Sequence, residues 1–227
     1  MARTLAIGDV HGCFQALVTL ANFVSLRPDD TLVMLGDYVD RGPDSRSVLD
    51  WLVEYEEVGN LVALRGNHEV MMLHARHSPA ARRDWLRYGG DATLKSYWPF
   101  EGPGKISDVD ERHWSFLETR LLNYYETEDC FFVHANADPN LSLDEQPDYM
   151  LYWEPFNDPP RHVSGKTMVC GHSSQSSGEP LSVGHAICID TAVYKGRWLT
   201  CLEPATGECW QANDNGHTRR FMLAETQ

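Results

Sequence analysis

Short apolar runs, each closed by glycine, set the rhythm of the first third of the chain. Leu5-Ala6-Ile7, Leu32-Val33-Met34-Leu35 and Leu61-Val62-Ala63-Leu64 have the length and composition of buried strands. Between the first two, Phe14, Leu17, Val18, Ala21 and Val24 recur at helical spacing. Val48, Leu49, Leu52 and Val53 repeat that pattern before the third run. Arg27-Pro28-Asp29-Asp30 closes the first predicted helix, Asp44 is placed to N-cap the second, and Gly59-Asn60 ends it. Residues 69–76 read as a further helix. Strand and helix alternating at this spacing predict parallel βαβ units.

The pattern then changes. Residues 80–88 and 108–122 read as helices, the first stopped by Gly89-Gly90, with a loop at 99–104 between them. Strands are predicted at 123–127, 130–134, 166–170, 185–189, 198–202 and 209–212. Residues 144–160, rich in acids and proline, predict a long surface loop, and the charged residues after Gly216 predict an unordered terminus. The expected fold class is therefore α/β: two β-sheets packed as a sandwich and flanked by helices, in a single domain over residues 1–227.

Composition narrows the partners. With 42% hydrophobic residues the chain can bury a sizeable core. A net charge of -14 argues against nonspecific binding to nucleic acid or to anionic membrane. No run of 18 apolar residues is present, and Met1-Ala2-Arg3-Thr4 leads straight into the first strand, so the expected compartment is cytoplasmic. Six cysteines without a C-x-x-C pair fit reduced, buried thiols.

Each of the three apolar runs ends in residues that can bind metal. The endings are Gly8-Asp9-Val10-His11-Gly12, Gly36-Asp37-Tyr38-Val39-Asp40-Arg41-Gly42 and Arg65-Gly66-Asn67-His68-Glu69. Open α/β sheets place ligands beyond the carboxyl ends of their strands. Two later runs end similarly, in His134 and in His172. Aspartate and histidine at strand ends also serve as helix caps or satisfied core groups. It is the repetition at successive strand ends that points to a site. Oxygen and imidazole donors suit Mn, Fe or Zn, and the lack of cysteine among them disfavours a structural thiolate zinc. Asp37, on the middle of the three strands, is the candidate to bridge two divalent ions. His185 lies inside an apolar strand, where a structural role is expected, and His74, His77, His113, His162 and His217 fit no block.

The three blocks resemble the signature blocks of the phosphoprotein phosphatase branch of the calcineurin-like metallophosphoesterases. His134 and His172 resemble that family's later metal histidines, and the resemblance runs over roughly residues 4–195. It implies one ion on Asp9, His11 and Asp37, and a second on Asp37, Asn67, His134 and His172, with a bridging hydroxide as nucleophile. It also implies Arg41 and Arg65 as phosphate clamps, and His68 as proton donor oriented by Asp40. Ser174 stands where many members carry a further histidine, which agrees with the protein-phosphatase branch. A third arginine usual in that branch is missing from Tyr152-Trp153-Glu154-Pro155-Phe156, with Arg161 the nearest stand-in.

The expected activity is two-metal hydrolysis of phosphate monoesters, either small ones or phosphoserine, phosphothreonine or phosphotyrosine in proteins. The alternative is symmetrical dinucleoside tetraphosphate hydrolysis. Those enzymes share the first block but tend to lack the aspartate at Asp40 and to carry aspartate in place of Glu69. A metal-binding scaffold without turnover is the third reading.

Overall fold

A computed structural model describes residues 2–98 and 100–224. The chain opens with β1 (Thr4–Ile7), α1 (Phe14–Val24), β2 (Thr31–Met34), α2 (Ser45–Val58), β3 (Asn60–Ala63) and α3 (Asn67–His77). Asp44 caps α2 by accepting from the Ser47 N–H at 3.1 Å. Next come α4 (Pro79–Trp85), α5 (Asp91–Ser96) and α6 (Glu111–Thr119), then the hairpin of β4 (Tyr124–Glu126) and β5 (Cys130–Val133). The remainder is α7 (Asp148–Trp153), β6 (Thr167–Cys170), β7 (Leu181–Ser182), β8 (Ala186–Cys188), β9 (Leu199–Glu203), β10 (Glu208–Ala212) and β11 (Thr218–Met222).

Among the described residues, eleven strands form two sheets, in the orders β11-β10-β9-β1-β2-β3 and β4-β5-β6-β8-β7. Strand alternation sorts side chains into layers. Leu5, Ile7, Leu32 and Met34 face the helices, packing with Leu17, Leu20 and Leu49. Ala6, Val33 and Leu35 face the other way, against Phe132, Val169, Ile187 and Ile189 of the second sheet. That sheet turns Phe131, Val133, Met168 and Cys170 outward, onto Leu151, Tyr152 and Phe156. The result is the expected sandwich flanked by helices.

Level register is what brings the site together. Ile7 pairs with Met34, and Met34 with Ala63, in parallel ladders, so three strand ends lie side by side. In the second sheet β5, β6 and β8 are also parallel. The two sets of loops meet: His134 Nδ1 lies 2.8 Å from the Leu35 carbonyl, and the His172 N–H donates to Asp9.

Two expectations need correction. Residues 218–222 are not part of an unordered tail, because there β11 pairs antiparallel with β10 as the sheet edge. The charges that suggested solvation are cross-strand partners: Arg220 pairs with Glu208, and the Arg219 guanidinium lies 4.6 Å over the Trp198 ring. Residues 144–160 contain α7, whose Leu151 and Tyr152 are buried; six residues are too few to show a helical period. The same brevity conceals α5. The order β1-β2-β3 does put β2 in the middle of those three strands, one strand in from the sheet edge. The expected residues 1, 99 and 225–227 lie outside the described residues.

Candidate metal centre

The Asp37 carboxylate occupies the middle of the converging loops. Its oxygens lie 3.4 Å from His11 Nε2, 3.4 Å from His134 Nε2 and 3.9 Å from His68 Nε2. Two groups of donors share it: His11 with His68, and His134 with His172. Burial alone would raise the Asp37 carboxyl, but the nearby His134, His68 and His11 outweigh it and hold it below the ordinary range.

Backbone geometry fixes which nitrogen of each histidine faces inward. Nδ1 of His11 lies 2.9 Å from the Val39 carbonyl, and Nδ1 of His134 lies 2.8 Å from that of Leu35. Nε2 of His172 lies 3.2 Å from the Trp153 carbonyl. A carbonyl only accepts, so each of these nitrogens carries the proton. The other nitrogen of each ring then turns a lone pair into the cradle. Burial also lowers the basicity of His11 and His172, the latter to about 4.

These lone pairs fit a cation. The Asn67 amide faces His134 Nε2 at 3.0 Å, and His172 Nδ1 and both Asp37 oxygens at 3.2 Å. An amide has two N–H bonds, so it cannot satisfy four acceptors. Three carboxylates, Asp9, Asp37 and Asp190, are buried together, and burial followed by Asp190 and Asp37 raises the Asp9 carboxyl well above its usual range. Buried acceptors in surplus, oxygen and imidazole together, are the donor set of a divalent ion.

The other expected residues fall in distinct places. Asp9 joins neither donor group; both its oxygens accept from the His172 N–H, at 3.1 and 3.0 Å. Gly171 permits this approach, since a Cβ there would collide with the Asp9 carboxylate. Gly66 is constrained likewise by Asp37. Arg41 Nη1 lies 2.8 Å from His11 Nε2, the lone pair that a cation would take, so one atom cannot serve both. The Nε atoms of Arg65 and of His68 (Nε2) are buried without a hydrogen-bond partner among the described residues. No described hydrogen bond or ion pair ties the exposed Arg161 to the site. His185 Nε2 donates to the Pro159 carbonyl at 2.7 Å, away from the cradle's donor groups.

His68 Nδ1 lies 2.6 Å from Asp40 Oδ2. Asp40 also accepts from Trp85 Nε1 at 2.8 Å and from the Thr93 hydroxyl at 2.7 Å. Burial opposes a charged His68, but Asp37 and Asp40 outweigh it and raise its basicity. Sequence reading missed Trp85 and Thr93, and also Asp190, which accepts from Ser174 at 2.6 Å. It missed the role of Glu69 as well: that carboxylate accepts the N–H groups of Asp37 and Tyr38 at 2.8 Å and of Gly66 at 3.0 Å. The backbone is bent to match. His11, Asp37, Asp40, Arg41 and His172 all have φ between 45° and 74°.

Fold and site together define a metal-dependent phosphoesterase. Residues 2–184 match the calcineurin-like phosphoesterase family, and the chain belongs to it. A symmetrical bis(5'-nucleosyl)-tetraphosphatase of Pseudomonas putida is 34% identical over 141 residues, which is 62% of this chain and 44% of that protein. The chain thus aligns with less than half the length of that relative. Serine/threonine-protein phosphatase 1 of Salmonella typhimurium is 44% identical over 86 residues, 37% of this chain and 38% of its own. A crystal structure proposed to be a diadenosine tetraphosphatase superposes with a TM-score of 0.66 at 19% identity, covering 99% of this chain and 95% of that one. Among the described residues, no helix is long and apolar enough to cross a membrane.

The expectation of a protein phosphomonoesterase is overturned by these relatives: the longer similarity is to tetraphosphatases. Two of the residues on which that expectation rested also tie the scaffold together. Asp40 is tied to Trp85 and Thr93 as well as to His68, and Glu69 ties down backbone N–H groups.

Proposed function

We propose that this chain hydrolyses dinucleoside polyphosphates symmetrically, splitting a tetraphosphate bridge into two nucleoside diphosphates. The observation that carries the reading is the Asp37 carboxylate shared by two groups of donors, with the free ring nitrogens of His11, His134 and His172 turned into the cradle. His11, Asp37, Asn67, His134 and His172 would hold two divalent ions, with Mn the first to test, and Asp9 closes the cradle through the His172 N–H. Those ions, when bound, supply charge neutralisation on the phosphate and a lowered pKa for the attacking water.

The protein's own groups do the rest. Arg41 and Arg65 offer guanidinium donors to the non-bridging oxygens. His68, held by Asp40, turns its free Nε2 inward and gives its proton to the departing diphosphate oxygen as the anhydride bond breaks. The names of the curated relatives support the substrate class. So does Trp153: its carbonyl meets His172 while its side chain stays exposed, leaving an aromatic face for a nucleobase.

The test is turnover of diadenosine tetraphosphate with added Mn, with products separated by chromatography. ADP as sole nucleotide product is expected; ATP with AMP would mean asymmetric cleavage. A phosphoserine peptide cleaved with a tenfold higher kcat/KM, about 1.4 kcal/mol in transition-state stabilisation, would reject the reading.

A further inference from the structure

On the polyphosphate reading, the cradle takes the phosphoryl group under attack, and the remaining phosphates of a tetraphosphate would extend beyond it. The turn after β8 carries groups suited to that charge. Asp190 fixes this turn by accepting from the Ala192 N–H at 3.0 Å, and the Thr191 hydroxyl fixes it by donating to the Trp198 carbonyl at 2.6 Å. Tyr194, on the turn, packs edge-on to His11 with centroids 4.9 Å apart. The same ring carries two cations: the Arg41 guanidinium at 4.6 Å and the Lys195 ammonium at 5.1 Å.

Two positive groups on one aromatic ring repel each other. They are tolerated where a ring quadrupole and an incoming anion offset the repulsion. Neither Arg41 nor Lys195 belongs to an ion pair among the described residues, although the chain carries 33 acidic side chains against 19 basic ones. Carboxylate partners are plentiful, yet this pair has none.

We propose that Lys195 is a specificity-determining residue that binds the substrate phosphates lying outside the cradle, and that Tyr194 is the positioning residue that aligns it with Arg41. This takes the place of the missing third arginine, and it rests on the polyphosphate reading of the substrate. Lys195 is exposed, so its replacement leaves the core intact.

The experiment is calorimetric titration of the full chain, in excess free Mn, with ADP and separately with orthophosphate. Lys195→Ala should weaken ADP binding about tenfold and orthophosphate binding less than about twofold, as loss of one charged hydrogen bond predicts. Lys195→Arg should restore ADP binding. Tyr194→Leu should weaken both ligands, whereas Tyr194→Phe, which keeps the ring, should weaken neither. Equal ADP affinity in wild type and Lys195→Ala overturns the assignment of Lys195; unchanged binding in Tyr194→Leu overturns that of Tyr194. Turnover of diadenosine tetraphosphate is measured separately. If it fails while ADP binding still depends on Lys195, the substrate reading falls and the phosphate-binding role stands.

Discussion

Asp37 is the residue on which the centre turns. Asp37→Asn removes the only carboxylate common to both donor groups, so metal content measured by mass spectrometry should fall from two ions per chain to below one, with activity lost. Two retained ions with near-normal turnover would remove Asp37 from the bridging position. His68→Asn is expected to behave differently: both ions stay, while kcat falls by about 10²–10⁴. That loss should shrink for a substrate with a more acidic leaving group. These residues were legible in the sequence because each follows an apolar strand within a few positions. Trp85 and Thr93 were not, because they reach Asp40 from 45 and 53 positions away. Nothing local in Arg83-Asp84-Trp85 or Ala92-Thr93 marks a buried partner for a distant carboxylate. Trp85→Phe tests this link, since it leaves the Asp40 oxygen with one donor fewer. A stability loss of about 1–3 kcal/mol by urea denaturation is expected.

At the level of elements, β1, β2, β3, α1 and α2 were legible because apolar period and glycine punctuation agree. Helices of six residues, α5 and α7, were not, since a helical period needs more length to declare itself. The helical region around α6 was legible, but its consequence was not. His113, on α6, is fully buried; its Nδ1 faces the Tyr97 hydroxyl at 2.6 Å, and its Nε2 faces Asp50 at 3.1 Å. Burial, helped by the Arg112 charge, pushes the imidazole down from 6.5 to about 4. Between those values the unfolded chain takes up a proton that the folded chain refuses. The stability contributed by a neutral His113 is therefore complete above pH 6.5 and is lost as pH falls toward 4. His113→Asn should flatten the pH dependence of the urea midpoint in that window. An unchanged slope would assign the acid sensitivity to other groups.

Over the whole molecule, the two sheets depend on the centre that joins their strand ends. Buried Asp9, Asp37 and Asp190 repel one another, and a cation among them binds the folded state alone. Chelation with EDTA should therefore lower Tm, and added Mn should restore it; an ion at about 100 times its Kd contributes about 2.7 kcal/mol. A Tm indifferent to both would count against a metal at this position. The left-handed backbone at His11, Asp37, Asp40, Arg41 and His172 carries a further consequence. Such positions cost about 1–3 kcal/mol each in residues other than glycine. Arg41, at φ 70° and exposed, is the one whose side chain does least for the core. Arg41→Gly should then hold or raise Tm while abolishing turnover. Heat resistance and catalysis thus pull this loop in opposite directions. A library ranked by survival at high temperature alone would enrich glycine at position 41 and select, step by step, for an inert protein.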